Sequence, residues 1–226
     1  MKKDVSAGVD LSLLFVLMSV ASVFSVGLEV MRVMYTGAPH YLFLIWNLIL
    51  AWMPFVFAVG AFVVRQKRPF SLLLAGYWLL FFPNAPYIVT DLIHLRPTAV
   101  APIWYDAILL FSFALTGLLL GLVSLYLMQL VIESWFGRMA GWLFVSGSLL
   151  LGGFGVYIGR FLRWNSWDIF TDPMRLVQDI LLNITTPHLG LKTAVVTGSL
   201  AVVFALAYFT MLALTRLAPR PELQQS

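Results

Sequence analysis

The sequence predicts an all-α membrane protein, a bundle of about six transmembrane helices. Hydrophobic residues make up 61% of the 226 residues and charged residues 11%, against about 45–50% and about 25% in soluble domains. Several apolar runs of about 20 residues follow one another, and this is the length that crosses a bilayer as a helix. The basic residues lie mainly in the short loops between these runs, as expected for a protein surrounded by lipid.

The apolar runs predict six spans within a single transmembrane domain, residues 1–226. The spans cover about residues 11–31, 41–64, 70–95, 104–132, 141–162 and 190–217. The first exceeds the roughly 7–15 residues of a signal-peptide core, so we interpret it as an uncleaved span. There is no cysteine, which excludes disulfides, thiolate metal ligands and a cysteine nucleophile.

The third span is predicted to be broken or kinked. Thirteen residues, 70–82, precede Pro83, and as a helix they cover roughly 20 Å of a hydrocarbon core about 30 Å thick. The segment Pro83-Asn84-Ala85-Pro86 then interrupts the backbone hydrogen bonds, because proline has no N–H to donate. Carbonyl groups without donors are tolerated at this depth only against protein or a wet cavity.

A short amphipathic helix is predicted near residues 173–184. Asp172 and Pro173 are a favourable N-cap and first helical residue, and apolar side chains then recur on one face opposite polar ones. Such a helix is expected to lie in the membrane interface.

Two further patterns concern packing inside the membrane. Glu29 and Arg32 lie one turn apart at the end of the first span and are predicted to form an interfacial ion pair, while Asn47 is expected to bond a neighbouring helix. The small-residue steps Gly117–Gly121 and Gly155–Gly159 suggest that the fourth and fifth spans pack on each other.

The distribution of basic residues orients the bundle. With six spans, eight of the fourteen Lys and Arg residues lie on the side of the two termini. Positive loops favour the cytoplasm, so we expect both termini there. The net charge of +4 follows from this topology, and nucleic acid is not an expected partner.

The polar residues gather on the other, extracytoplasmic side. The end of the third span, the start of the fourth and the end of the fifth all emerge there. We therefore predict a polar pocket on this side that binds a substrate. Its candidate binding residues are Asn84, Tyr87, Asp106, Arg160, Arg163, Asn165, Trp167 and Asp168.

Asp91 and His94 are the candidate catalytic residues. Their i, i+3 spacing places both on one face of a helix. A carboxylate beside an imidazole can share a proton, coordinate a cation or orient a base. One aspartate and one histidine are too few to indicate a metal, so the metal and any cofactor stay unassigned.

Two interpretations of this polar group remain open. In the first, the carboxylates and the histidine form an acid–base or metal site, and Arg160 and Arg163 bind an anionic group. In the second, the two arginines neutralise Asp91, Asp106 or Asp168, and the network serves only to fix the packing of the helices.

The order of the polar motifs resembles that of a known family, the uncharacterised bacterial membrane proteins grouped as a domain of unknown function with a Pro-Asn-Ala-Pro-Tyr motif. The resemblance extends from about the second span to the sixth and implies a bacterial multi-pass membrane protein, without implying an activity. It rests on Phe82-Pro83-Asn84-Ala85-Pro86-Tyr87, Thr90-Asp91-Leu92-Ile93-His94, Trp104-Tyr105-Asp106 and Gly159-Arg160-Phe161-Leu162-Arg163-Trp164-Asn165-Ser166-Trp167-Asp168.

Three classes of function fit these observations. A bacterial inner-membrane enzyme would act on a lipid-linked or anionic substrate, with Asp91 or His94 as base and Arg160 and Arg163 as the anion site. A transporter would use the broken third span for binding, although no inverted repeat is visible. A scaffold or assembly factor would need the polar network for packing alone. The expected surroundings are the lipid bilayer, and protein partners are unassigned.

Overall fold

The computed structural model describes residues 10–98 and 100–217, which form helices joined by short loops. Six helical segments are long and apolar enough to cross a membrane, so the predicted all-α bundle of a multi-pass membrane protein is confirmed. The helices are α1 (Leu11–Thr36), α2 (Phe43–Val63), α3 (Arg68–Phe81), α4 (Asn84–Tyr87), α5 (Ile103–Phe136), α6 (Arg138–Tyr157), α7 (Asp168–Thr171), α8 (Pro173–Thr185) and α9 (Pro187–Leu217).

Helix α5 lies at the centre of the bundle. In its most apolar stretch 67% of the residues are buried, whereas the corresponding share in the other spans is between 11% and 39%. It packs against α1, α2, α4 and α6, while α3 packs on α2 and α9 packs on α6 and α8. The remaining spans therefore turn most of their apolar surface outward, as helices in contact with lipid do.

Helix α1 extends about one turn beyond the predicted end of the first span. Asp10 caps its start by accepting a hydrogen bond from the Leu13 N–H at 3.0 Å. Gly37 ends it in the left-handed conformation, with φ of 66°, which glycine adopts without strain. The predicted interfacial Glu29–Arg32 pair is wrong, because both side chains are buried and Arg32 pairs with Asp106 of α5.

The third span is broken at the predicted prolines. After α3 the chain continues as the short helix α4 and a 3-10 segment, Ile88–His94. Pro86 offers no N–H to the Phe82 carbonyl, which instead accepts from the Ala85 N–H at 3.2 Å. The Phe81 carbonyl, deprived of that donor, accepts from Asn84 Nδ2 at 3.1 Å. Protein groups thus satisfy the Phe81 and Phe82 carbonyls at the break.

The glycines of α5 and α6 accommodate this break. A Cβ added to Gly117 or Gly121 would lie against Ala85, Pro86 and Ile88, and one added to Gly155 or Gly159 would lie against Pro83 or Tyr87. Helices α5 and α6 do pack together. However, the predicted use of the four glycines, to bring those two helices close, is wrong: they make room for the third span.

Helix α8 confirms the predicted amphipathic segment. Asp172 caps it by accepting from the Arg175 N–H at 3.4 Å, and Pro173 is its first residue. It packs on the start of α9 and lies beside the end of α6. This places α8 at the membrane face where the polar residues gather.

The close approach at Gly117 gives a direct test of this packing. A Cβ at this position would lie 2.9 Å from the Ala85 carbonyl oxygen and 3.0 Å from Ile88 Cδ1. We therefore expect Gly117→Ala to lower the free energy of unfolding in detergent by about 1–3 kcal/mol. Gly76→Ala is the control: no atom lies within 4 Å of its added Cβ, so stability should stay the same or rise by up to about 1 kcal/mol. Equal effects of the two changes would contradict the packing.

Candidate functional site

A cavity of about 740 Å³ opens at the membrane face where the third span ends. Its walls come from α2, the broken part of the third span, the end of α6 and helices α7 and α8. Its polar lining consists of Asn47, Asn84, Tyr87, His94, Arg96, Arg160, Arg163, Asn165 and Ser166, and its apolar lining includes Trp46, Leu50, Leu80, Ile93, Ile158, Ile169, Leu176 and Ile180.

An ion pair lies directly behind the cavity wall. Asp91, in the 3-10 segment, is only 2% exposed, and its Oδ1 pairs with Nη2 of Arg160. Asn47 of α2 donates to the other oxygen at 2.8 Å, and Arg160 Nε donates to Thr90 Oγ1 at 2.9 Å. The bond from Asn47 to a neighbouring segment is the packing role predicted for it. Both oxygens of Asp91 are thus engaged by partners within the protein.

A local widening of α6 places Arg160. The helix ends in a π-helical segment, Ile158–Leu162, and Arg163 follows in the left-handed conformation with φ of 63°. Gly159 allows the Tyr87 ring to approach, since an added Cβ would lie 3.2 Å from that ring. The Arg160 guanidinium then stacks over the ring at 4.4 Å from its centroid, a cation–π contact that supports the ion pair.

His94 lies at the end of the 3-10 segment and faces the cavity. Its side chain is 44% exposed, and Nε2 lies 3.9 Å from Asp91 Oδ1. The same nitrogen lies 3.3 Å from Arg160 Nη1. Because a guanidinium can only donate, Nε2 is the acceptor in this contact. The ring is therefore a polar group within reach of a ligand in the cavity.

The loop after α6 closes the cavity. Asn84 Nδ2 donates to Ser166 Oγ at 2.9 Å, which joins the break in the third span to this loop. Asp168 Oδ2 accepts from the Asn165 N–H at 2.7 Å, so this carboxylate shapes the loop and does not line the cavity. Trp167 packs edge-on against Trp46, with ring centroids 6.4 Å apart.

Asp106 belongs to a separate buried cluster between α1 and α5. Its two oxygens accept from Arg32 Nε at 2.7 Å and Nη2 at 3.1 Å. The Tyr41 hydroxyl lies between them and the third span, donating to Asp106 Oδ2 and to the His94 carbonyl at 3.4 Å each. Burial and the Asp106 carboxylate raise the pKa of the Tyr41 hydroxyl.

The predicted site residues thus fall into two groups. Six of them line the cavity: Asn84, Tyr87, His94, Arg160, Arg163 and Asn165. The others, Asp91, Asp106, Trp167 and Asp168, do not line it. Sequence reasoning missed Arg96 and Ser166 in the lining. Arg96 lies two residues after the motif that ends at His94, and Ser166 lies within the motif from Gly159 to Asp168. It also missed the partnership of Arg32 and Asp106, because nothing in the sequence shows which helix faces α1.

The carboxylates and histidines are dispersed. Within residues 10–98 and 100–217, no three His, Asp or Glu side chains come close enough to hold a metal ion together. Among the described residues that line the cavity, three are arginines and none is a carboxylate. The site as built is suited to an anion.

A family described as "Protein of unknown function (DUF1361)" matches residues 46–212. The chain belongs to this family. The matched region contains every residue that lines the cavity and also the Asp91–Arg160 pair behind it, whereas Glu29 and Arg32 precede the matched region. No curated protein and no solved structure matches the chain.

The buried ion pair predicts a specific pattern of stability in this family member. Removing Asp91 leaves the Arg160 charge without its partner, so we expect Asp91→Ala to cost about 3–5 kcal/mol in the free energy of unfolding. The double change Asp91→Ala with Arg160→Met removes both charges and should restore part of this loss. Asp172→Ala, at an exposed cap, should cost only about 1 kcal/mol.

The measurement is a double-mutant cycle by chemical unfolding of the detergent-purified protein. Additive effects of the two single changes would contradict the ion pair. A fully stable Asp91→Ala variant would contradict it as well, and would suggest that Asp91 is free for catalysis.

Proposed function

We propose that the protein binds an anionic, lipid-linked or otherwise amphiphilic ligand in the cavity, and that its enzymatic or transport activity acts on this ligand. The observation that carries the proposal is that the described lining residues include three arginines and no carboxylate, beside neutral polar groups and a large apolar wall. Arg96 and Arg163 are exposed at the cavity, so their guanidinium groups are accessible to a ligand that comes from outside the chain.

The three arginines differ in whether a carboxylate of the protein neutralises their charge. Arg160 is neutralised by Asp91. Within the described part of the chain, Arg96 and Arg163 have no carboxylate oxygen within 4.0 Å. We therefore assign the main contacts with the anionic group to Arg96 and Arg163, whose planar guanidinium groups match phosphate and carboxylate oxygens.

The depth of the cavity supports an amphiphilic ligand over a small inorganic anion. Trp46 and Asn47 lie near the start of α2, while Leu50 lies three to four residues further along, or roughly 5 Å deeper in the membrane. The cavity therefore changes from polar to apolar as it enters the membrane. A head group would bind at the arginines and an acyl or isoprenoid chain would lie against Leu50, Leu80 and Ile180.

Among catalytic candidates, the geometry favours His94 over Asp91 as the acid–base group. The Asp91 carboxylate is buried and paired, whereas the His94 ring reaches the cavity. An imidazole with an exposed ring nitrogen can exchange a proton with a bound substrate. In this proposal, Asp91 and Arg160 position the segment that carries His94.

We also propose the location and orientation of the chain. It would be a single transmembrane domain in a bacterial inner membrane, with both termini in the cytoplasm and the cavity open to the extracytoplasmic side. The support is the excess of basic residues on the side of the termini, following the positive-inside rule.

Binding can be tested by native mass spectrometry of the purified protein with phosphatidylglycerol and with phosphatidylcholine. We expect preferential binding of the anionic phosphatidylglycerol, and a loss of about tenfold or more in affinity for Arg163→Gln, since a charge-assisted hydrogen bond contributes about 1.5–3 kcal/mol. Lys192→Gln is the control, because Lys192 is an exposed cation on the same membrane face outside the cavity. Equal binding of both lipids, or equal effects of both changes, would contradict the proposal.

An enzyme can be distinguished from a carrier or scaffold by replacing His94. We expect His94→Ala to bind phosphatidylglycerol as the unchanged protein does, but to convert an anionic lipid substrate about 10²–10⁴ times more slowly. Substrate consumption is measured by mass spectrometry of an anionic lipid extract incubated with each protein. Binding without any consumption by the unchanged protein would favour a transporter, and neither binding nor consumption would favour a scaffold.

A further inference from the structure

A second buried carboxyl group lies outside the cavity and is not used in the proposed function. Glu29 of α1 is fully buried. Its Oε1 accepts a hydrogen bond from the Tyr41 N–H at 3.2 Å, while its Oε2 has no hydrogen-bond partner among the described residues. A buried carboxylate ordinarily has several donors for each oxygen, so Glu29 lacks the partners that an ionised group needs.

The nearest cation is already engaged. Arg32 donates to both oxygens of Asp106, at 2.7 and 3.1 Å, and its third nitrogen points to the Ala38 carbonyl at 3.5 Å. No ion pair joins Arg32 to Glu29 in the part of the chain that the structure describes. One guanidinium charge therefore faces two carboxyl groups, and the bidentate geometry neutralises Asp106.

The other groups that face Glu29 bring no positive charge. Tyr41 contributes its backbone N–H and directs its hydroxyl to Asp106. Tyr105 of α5 donates its hydroxyl to the Leu28 carbonyl at 2.8 Å. An ionised Glu29 would thus be a second negative charge beside Asp106 inside the bundle, and burying such a charge in a membrane protein costs far more than burying a neutral carboxyl group.

We propose that Glu29 is a proton-binding site and carries a proton at neutral pH. The ligand of this site is the proton itself, taken up to cancel the charge that Arg32 leaves uncompensated. A neutral carboxyl group still accepts the Tyr41 N–H through Oε1, so protonation costs none of the observed contacts. This inference does not depend on the ligand proposed for the large cavity.

The proton has a short route to the membrane face. Tyr41, which bonds Glu29, also lines a second cavity of about 280 Å³ together with His40, Phe43, His94, Arg96 and Thr98. His94 and Arg96 line the large cavity as well. Only Tyr41 therefore separates Glu29 from a cavity that borders the proposed ligand site, and the proton would exchange on the same side of the membrane.

Infrared spectroscopy of the full-length protein in lipid at neutral pH tests the proposal. We expect the carbonyl stretch of a protonated carboxylic acid, shifted in D₂O, in the unchanged protein. The band should be absent in Glu29→Gln and present in the control Glu133→Gln, whose side chain lies near the other end of α5. Glu29→Gln resembles the protonated state, so it should fold and unfold thermally as the unchanged protein does.

Asp106→Asn supplies the opposite expectation. It removes the carboxylate that pairs with Arg32 and should lower the thermal midpoint, while the band of Glu29 is lost because the freed guanidinium can now pair with an ionised Glu29. A missing band in the unchanged protein, or a band that persists in Glu29→Gln, would overturn the proposal. So would a Glu29→Gln protein that fails to fold, or a stability that depends on added sodium, which would indicate a bound cation in place of the proton.

Discussion

The ion pair between Asp91 and Arg160 joins the two irregular segments of the bundle. One is the 3-10 segment that ends the broken third span, and the other is the π-helical end of α6. Neither segment has the regular hydrogen bonding that stabilises a membrane helix by itself. The ion pair, the Thr90 hydroxyl and the Tyr87 ring replace those bonds, and the space left between the two segments is the cavity.

A second ion pair, between Arg32 and Asp106, keeps these two residues apart from the polar residues at the cavity. It fixes α1 on α5, away from the cavity, and leaves Glu29 without a cation. The buried charges of Arg32, Asp106, Asp91 and Arg160 are thereby neutralised within the protein, as a bilayer requires. At the cavity, Arg96 and Arg163 have no carboxylate partner among the described residues. Their charges can bind a ligand, and for this reason the proposed function rests on them.

The sequence predicted what depends on local chemistry. Pro83 and Pro86 cannot donate backbone hydrogen bonds, so the break in the third span followed from the local sequence alone. The start of α8 after its cap Asp172 followed in the same way. What it could not supply is the rotation of each helix about its axis. That rotation decides that Arg32 meets Asp106, and that the glycines of α5 and α6 face the third span. The catalytic and binding roles suggested for the polar residues remain predictions.

The proposed occupant of the cavity is an anionic amphiphile, and thiol labelling can detect it directly. The chain has no native cysteine, so a single Asn165→Cys in the lining and a single Trp104→Cys on the same membrane face, outside the cavity, can each be labelled selectively. We expect phosphatidylglycerol, and not phosphatidylcholine, to slow labelling of Asn165→Cys by an impermeant thiol reagent several-fold while leaving Trp104→Cys unchanged. Equal labelling rates of Asn165→Cys in both lipids would contradict the account.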